Sequence, residues 1–393
     1  MERCEEMLKL NATFTRVTFA LFAISWFVGD YNGNLRDNYK YIFWIFSLVS
    51  GLMPLLYYAF GYKKDSKKVK WDTYTFFQIS LVVVVFAVIS ICAIPFNGYH
   101  LFMWKDIFYI FMPAFYIFVI VNLDSSDNFD YYIHFIFWGF LLNFILIMKP
   151  SSFTLENFLS LSFVESYSPW ESSMSDVFFM CFVYYYARKK RIHSILAGVF
   201  NVMAFKRLNL IFMVVFIILN PFLKNKPVSK GVEFFVKTVF ILSPVFVTIV
   251  LSDSFAIWFE NQFGMDLNGF TMGRFNQLNQ ICDLEQNMTG LGMTHYMLIQ
   301  IGFDIHRLHC DMMRFLIETT IVGLFVFVNA YFNIAKRNQK SFFLMTSYFT
   351  VMVASTCIEN TFYWFLLLII IESFQRLENR REEENNEKQA ACR

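Results

Sequence analysis

Charged side chains are scarce in this chain. They make up 16% of its 393 residues, against about a quarter in ordinary water-soluble domains. With 57% hydrophobic and 20% aromatic residues, the deficit excludes a conventional soluble fold and marks an integral membrane protein. An excess of one sign is missing too: the net charge of +2 leaves no basic surplus to hold a nucleic acid. The amino-terminal stretch sets Glu2, Glu5 and Glu6 beside Arg3 and Lys9 and so lacks the form of a secretion signal. The first apolar span is expected to direct its own insertion. The seven cysteines are scattered, without a C-x-x-C pair. Cys92, Cys181 and Cys357 read as small core residues. Cys282 and Cys310 share the one long polar connection, where a disulfide requires that loop to lie outside the cytoplasm. No internal repeat suggests a transporter's inverted symmetry. The 52 phenylalanines read as lipid-facing surface rather than as an aromatic ligand box.

What is present is a series of apolar windows of bilayer length, near 13–29, 41–60, 74–94, 106–123, 131–148, 232–251, 312–334, 341–357 and 359–374, with a shorter one at 170–187. The run 194–223 is too long for one span and carries Lys206 and Arg207 at its centre. Read as two spans meeting at Phe205–Leu208, it brings the total to twelve. Lysine and arginine in short loops favour that number. Loops 61–71, 187–191, 224–230 and 335–340 are all basic, and with twelve spans all four are cytoplasmic. The fold expected is therefore an all-α polytopic membrane protein of about twelve transmembrane helices, both termini cytoplasmic. Residues 1–374 form its single transmembrane domain, including a large extracytoplasmic loop, 252–311, before the tenth helix. Residues 375–393, with Arg380, Arg381 and Glu382–Glu384, form a charged cytoplasmic tail, either a solvated helix or disordered.

On this topology Lys206 and Arg207 stand at the extracytoplasmic tip of a helical hairpin, against the positive-inside rule. Either charge at the centre of a bilayer would cost about 2.5–3.5 kcal/mol, so such residues face a wet cavity or an interface and are functional suspects. The loop 252–311 is rich in Trp, Phe, Leu and Ile, and Phe270, Arg274, Gln277, Leu278 and Ile281 recur at helical spacing. An amphipathic helix is expected near 270–285, in a loop that lies on the membrane or folds back over a cavity. Beyond it, Asp311, Arg314 and Glu318 fall on one helical face, one turn apart or less. Asp311 and Arg314 are placed to form a first-turn ion pair, and the deeper Glu318 needs a partner, which Lys206 or Arg207 could supply. The H-x-x-H-x-D spacing of His306, His309 and Asp311 is compatible with zinc but arises easily by chance, and no metal is assigned. Glu359, between the last two apolar spans, needs solvation or a basic partner. Arginine's planar fork binds phosphate bidentately. A cluster of Arg207, Arg274 and Arg314 at the lipid–water boundary therefore suits a lipid pyrophosphate. An adjacent acid or imidazole would take a proton from an attacking hydroxyl.

Four local features carry a resemblance. They are the basic hairpin Ala204–Leu208, the loop arginine in Gly273-Arg274-Phe275, the run from Gly290-Leu291-Gly292-Met293 to His309–Glu318 and Ile321-Val322-Gly323, and Glu359-Asn360-Thr361 before the final span. In their order and spacing, over about 165–365, the chain resembles the family of bacterial O-antigen polymerases and ligases. The resemblance implies a C-type glycosyltransferase-like fold in the bacterial cytoplasmic membrane with its active site facing the exterior. It also implies a polymerase that moves the growing glycan from undecaprenyl pyrophosphate to a hydroxyl of the next lipid-linked repeat. It assigns Arg207 and Arg274 to the donor pyrophosphate and makes His309 the candidate base; Lys206, Arg314 and Glu359 are read from their own charges and placement as further substrate-binding residues. Membrane lipid, a flippase and a chain-length regulator are the implied partners, and no cofactor is implied. Ligases of this family usually carry His-Asn where this chain has His309-Cys310-Asp311. That departure favours the polymerase branch and lets Asp311 or Glu318 share or replace the role of His309. A ligase acting on lipid A–core, or a flippase of lipid-linked oligosaccharide, are the alternatives. A flippase should line a central path with its charges, whereas here they gather at one face.

Overall fold

The computed structural model describes residues 2–31, 33–61, 71–124, 128–160, 168–271, 273–284, 286–302 and 308–391. In the first two helices and the last, side chains are described for 12–28, parts of 42–60 and 361–376. The described residues are helical throughout, without a strand. Five long helices precede the first outer loop: α1 (Glu2–Tyr31), α2 (Gly33–Gly61), α3 (Tyr74–Asn97), α4 (Phe102–Leu123) and α5 (Phe129–Met148). A short α6 (Leu155–Leu159) leads to three half-length apolar helices, α7 (Ser175–Ala187), α8 (Arg191–Ala204) and α9 (Arg207–Leu219). The long α10 (Lys230–Val250) is followed by α11 (Asp253–Phe263), α12 (Leu267–Phe270), α13 (Arg274–Cys282) and α14 (Met293–Gln300). The chain closes with α15 (Asp311–Ala335), α16 (Gln339–Ala354) and α17 (Thr361–Ala391).

A helix stands at each of the twelve expected windows. By length and hydropathy, five of them can cross a membrane unaided: α3, α4, α5, α10 and α15. The chain is thus an α-helical membrane protein. The expected helix near 270–285 is present as α13, which buries Gln277, Leu278 and Ile281 on one face. The tail keeps a helical backbone to Ala391.

Burial sorts the helices. The most apolar window of α4 is 72% buried and that of α10 only 17%, so α4 is central and α10 faces outward. In α7 every residue from Ser175 to Tyr185 is buried. Much of the phenylalanine lies inside rather than against lipid, which corrects the sequence reading. Phe19 stacks on Phe365 at 5.0 Å and Phe22 on Tyr116 at 4.8 Å, and Phe327, Tyr331 and Tyr348 crowd round Trp364. With so few polar side chains, wide ring faces fill the gaps between helices that soluble cores fill with aliphatics. Cys181 and Cys357 are buried as expected, but Cys92 is exposed on α3. Cys282 and Cys310 are free thiols, so the disulfide does not form.

The run 194–223 is a hairpin. Phe205 takes a left-handed conformation (φ 47°, ψ 68°) that ends α8, and α9 folds back. A groove of about 410 Å³ is lined by Ser194, Val202 and Met203 of α8, Met213 and Ile217 of α9, and Phe182 of α7. Gly198 deepens it, since a Cβ there would meet the Phe182 ring at 3.4 Å and the Met213 sulfur at 3.8 Å. The basic loops gather at the opposite end of the bundle. Val228 N–H donates to Lys336 O (2.9 Å), Lys224 N–H to Gln339 (2.9 Å) and Arg188 to Ser373 (2.8 Å). Loop 62–70 lies outside the described residues. At the hairpin end, the 252–311 segment builds a second small core from Leu278, Ile281, Met288, Met297, Leu308 and Cys310, seated on the ends of α10 and α15.

Helix α15 is broken at Thr320 (φ 59°, ψ 179°). The break frees the Glu318 carbonyl, which accepts from Gly290 N–H at 2.7 Å. Such backbone is essentially a glycine conformation and costs a β-branched residue about 1–3 kcal/mol. Thr320→Gly is expected to stabilise the purified protein by about 1 kcal/mol after the flexibility cost of glycine is deducted. Thermal unfolding in detergent checks this, and a lowered midpoint would contradict it.

Candidate functional site

The sequence-predicted residues separate into two groups at the hairpin end of the bundle. The first is a buried ionic framework round the first two turns of α15. Arg314 is 2% exposed. It pairs with Asp106 of α4, with Glu318 one turn along at 3.2 Å and with Glu359 at 3.6 Å, while Lys105 lies 3.8 Å from Glu359. Glu318 is saturated. Besides Arg314 it accepts from the backbone N–H of Gly292 (3.0 Å) and Thr294 (3.1 Å) and from the Thr294 hydroxyl (2.5 Å). Leu291 N–H donates to Ser90 at 3.0 Å, and Asn97 donates to Thr289 O at 2.6 Å. The stretch 290–294 thus reaches well below the end of α3 with its amides satisfied, as backbone at membrane depth requires. His295 stacks on Phe102, ring centres 4.0 Å apart.

Asp311 does different work from that expected. Its carboxylate accepts from the backbone N–H of Cys357 (2.5 Å) and Ile358 (3.0 Å) and from the Thr356 hydroxyl (3.2 Å). It fastens the connection between α16 and α17 and makes no ion pair with Arg314. Glu318 is partnered by Arg314, not by Lys206 or Arg207. Lys206 instead meets Asp176 of α7 at 2.7 Å. Asn209 donates to the same carboxylate at 2.8 Å and to Ser175 at 3.0 Å. Asp176 escaped the sequence reading, although an acid opening the apolar run 175–187 is as anomalous as the lysine it neutralises.

The second group is Arg207, Arg274 and His309. The Arg207 guanidinium lies over the Phe270 ring, 5.0 Å from its centre. Arg274, opening α13, donates to the Ala354 carbonyl at 2.7 Å. Among the described residues neither arginine has a carboxylate within ion-pair distance. Burial draws the Arg274 guanidinium below its ordinary pKa. Glu171 opposes the fall, and the nearby Arg207 charge adds to it. One turn along α13, Gln277 accepts from the His309 backbone N–H at 3.3 Å, which anchors the histidine beside the same helix. Arg314 and Glu359 are therefore set in the framework, while Arg207, Arg274 and His309 lie outside it, each half-buried. His306 lies outside the described residues, as does Glu165. Among the described residues no three His, Cys, Asp or Glu side chains gather as a metal site.

No family model, curated protein or solved structure matches this chain.

The Lys206–Asp176 pair provides a test of the buried framework. Stranding one member of a buried pair costs about 3–5 kcal/mol, whereas replacing both with apolar residues is often neutral. The Lys206 side chain keeps some solvent contact, 22% exposed against 3% for Asp176, so a figure below that range is expected. Lys206→Met should lower stability by about 2 kcal/mol, and Lys206→Met with Asp176→Leu should recover most of it. Unfolding midpoints of the three proteins measure the coupling. Additive losses would show that the pair contributes nothing.

Proposed function

We propose that this protein is a glycosyltransferase that polymerises lipid-linked oligosaccharide repeats. It would transfer the growing glycan from a polyprenyl pyrophosphate to a hydroxyl of the next lipid-linked repeat, at the outer face of the bacterial cytoplasmic membrane. The observation that supports it best is the adjacency of Arg207 and Arg274, neither of them ion-paired among the described residues. Two neighbouring guanidinium groups repel one another, and a dianion between them relieves that repulsion. A pyrophosphate fits such a pair bidentately. As the glycosyl bond breaks, the charge developing on the departing pyrophosphate is taken up by the same two residues. The acceptor hydroxyl loses its proton to a base as it attacks the anomeric carbon. His309 is the candidate, because Asp311 and Glu318 already spend their lone pairs on backbone amides. The basic loops at the far end of the bundle favour an outward-facing site under the positive-inside rule.

Arg207→Ala and Arg274→Ala are each expected to lower chain extension by about 10²-fold or more, the loss typical of removing one transition-state charge donor. Arg274→Lys should not restore activity, because lysine lacks the planar fork. The checks are glycan length on cell extracts and the lipid-linked product in cells lacking the protein. Single repeats left on the carrier support polymerisation. Long chains stranded on the carrier would instead indicate a ligase, and normal glycan from both alanine variants would refute the assignment.

A further inference from the structure

The 252–311 segment has a core of its own, yet α11 contributes nothing to it: none of its 11 residues is buried. Its side chains are nevertheless large. At helical spacing Phe255, Trp258, Phe259 and Phe263 share one arc, which also holds Gln262, while Asp253, Ile257, Glu260 and Asn261 lie on the remainder. Trp258 is 50% and Phe263 56% exposed. The rings pack into a ledge, Phe255 to Trp258 at 5.3 Å and Phe259 to Phe263 at 4.8 Å. A helix this short is marginal in water unless its apolar face rests on something.

The surroundings indicate what that is. The span α10 runs into α11 across Leu251 and Ser252, and its outward face carries Phe246 and Ile249, both 56% exposed. Apolar surface is therefore continuous from the lipid-facing side of a span onto the ledge. No lysine or arginine occurs between Lys237 and Arg274, so attraction to anionic headgroups or to an acidic partner has no source here. Four aromatic rings on one arc, with both carboxylates outside it, suit a helix lying in a bilayer interface.

We propose that α11 is an interfacial helix whose aromatic ledge is embedded in the leaflet at the hairpin end of the bundle. It is held there by apolar burial rather than by charge. The ledge continues into the site, since Phe259 packs on Phe270 at 5.2 Å and Phe270 carries the Arg207 guanidinium. An embedded α11 sets Arg207 at headgroup depth, whatever the anion it meets.

The test uses the full chain reconstituted in phosphatidylcholine vesicles. Spin labels at Phe263→Cys and Asn261→Cys, which lie on opposite sides of the helix, with the other cysteines replaced, report collisions with oxygen and with a nickel chelate. A several-fold higher oxygen-to-nickel ratio at 263 than at 261 is expected, unchanged when anionic lipid is added. Equal, high nickel access at both sites would place the helix in water and overturn the proposal. Shielding of position 263 from both reagents would mean protein covers the ledge, and would overturn it too. A second measurement avoids introduced cysteines: quenching of tryptophan emission by lipids brominated near the carbonyl end. Trp258→Phe should remove a lipid-quenchable component, and identical quenching of the two proteins would count against the proposal. Neither readout depends on enzymatic activity, so this placement and the polymerase reading fail separately.

Discussion

Arg314 is the charge on which the hairpin end of the molecule depends. A guanidinium closed off from water stays protonated, so its surroundings must supply matching carboxylates. They come from three places, with Asp106 on α4, Glu318 on α15 and Glu359 beyond α16. Each contact fixes the position of one element relative to another. Glu318 carries the order a step further by binding the amides of 292 and 294. Asp311, on the same helix, holds the connection at 356–358. Arg274 in turn bonds to the carbonyl of Ala354, at the edge of that connection. Arg274 is thus tied to this polar scaffold through Ala354, whereas Arg207 rests on the Phe270 ring.

Within this scaffold the matching of charges is selective. Lys206 has Asp176, Lys105 has Glu359, and Arg314 is surrounded. Arg207 leans on an aromatic face and Arg274 on a backbone oxygen, each a weaker counterpart than a carboxylate. The buried and half-buried lysines beside them are matched by carboxylates, whereas these two neighbouring arginines have none among the described residues. The sequence neighbours Lys206 and Arg207 are divided by this rule. The lysine turns inward to a buried acid, and the arginine stays at the surface.

Much of the fold was legible from the chain because apolar length and loop charge are long-range, additive signals. Each expected window holds a helix, and the ambiguous run 194–223 bends where two charges made a continuous helix untenable. The site was legible only in part. Helical spacing put Asp311, Arg314 and Glu318 on one face correctly, but spacing says nothing about what stands opposite. The partners of Asp311 are two backbone amides and a threonine hydroxyl, 45 to 47 residues away, and those of Arg314 include an aspartate 208 positions earlier. Backbone donors leave no trace in residue types. Residue charge alone therefore made Asp311 and Glu318 look more available for chemistry than they are.

The short helices α8 and α9 have a mechanical consequence. At 14 and 13 residues each spans about 20 Å, some 10 Å short of a typical hydrocarbon core of about 30 Å. A bilayer meeting these helices must thin, or admit water, on that flank. Either response dents the membrane beside the hairpin tip. An amphiphile diffusing in the leaflet would then find polar depth and apolar depth brought together within a few ångströms. It could present its head to the protein without being lifted out of the lipid.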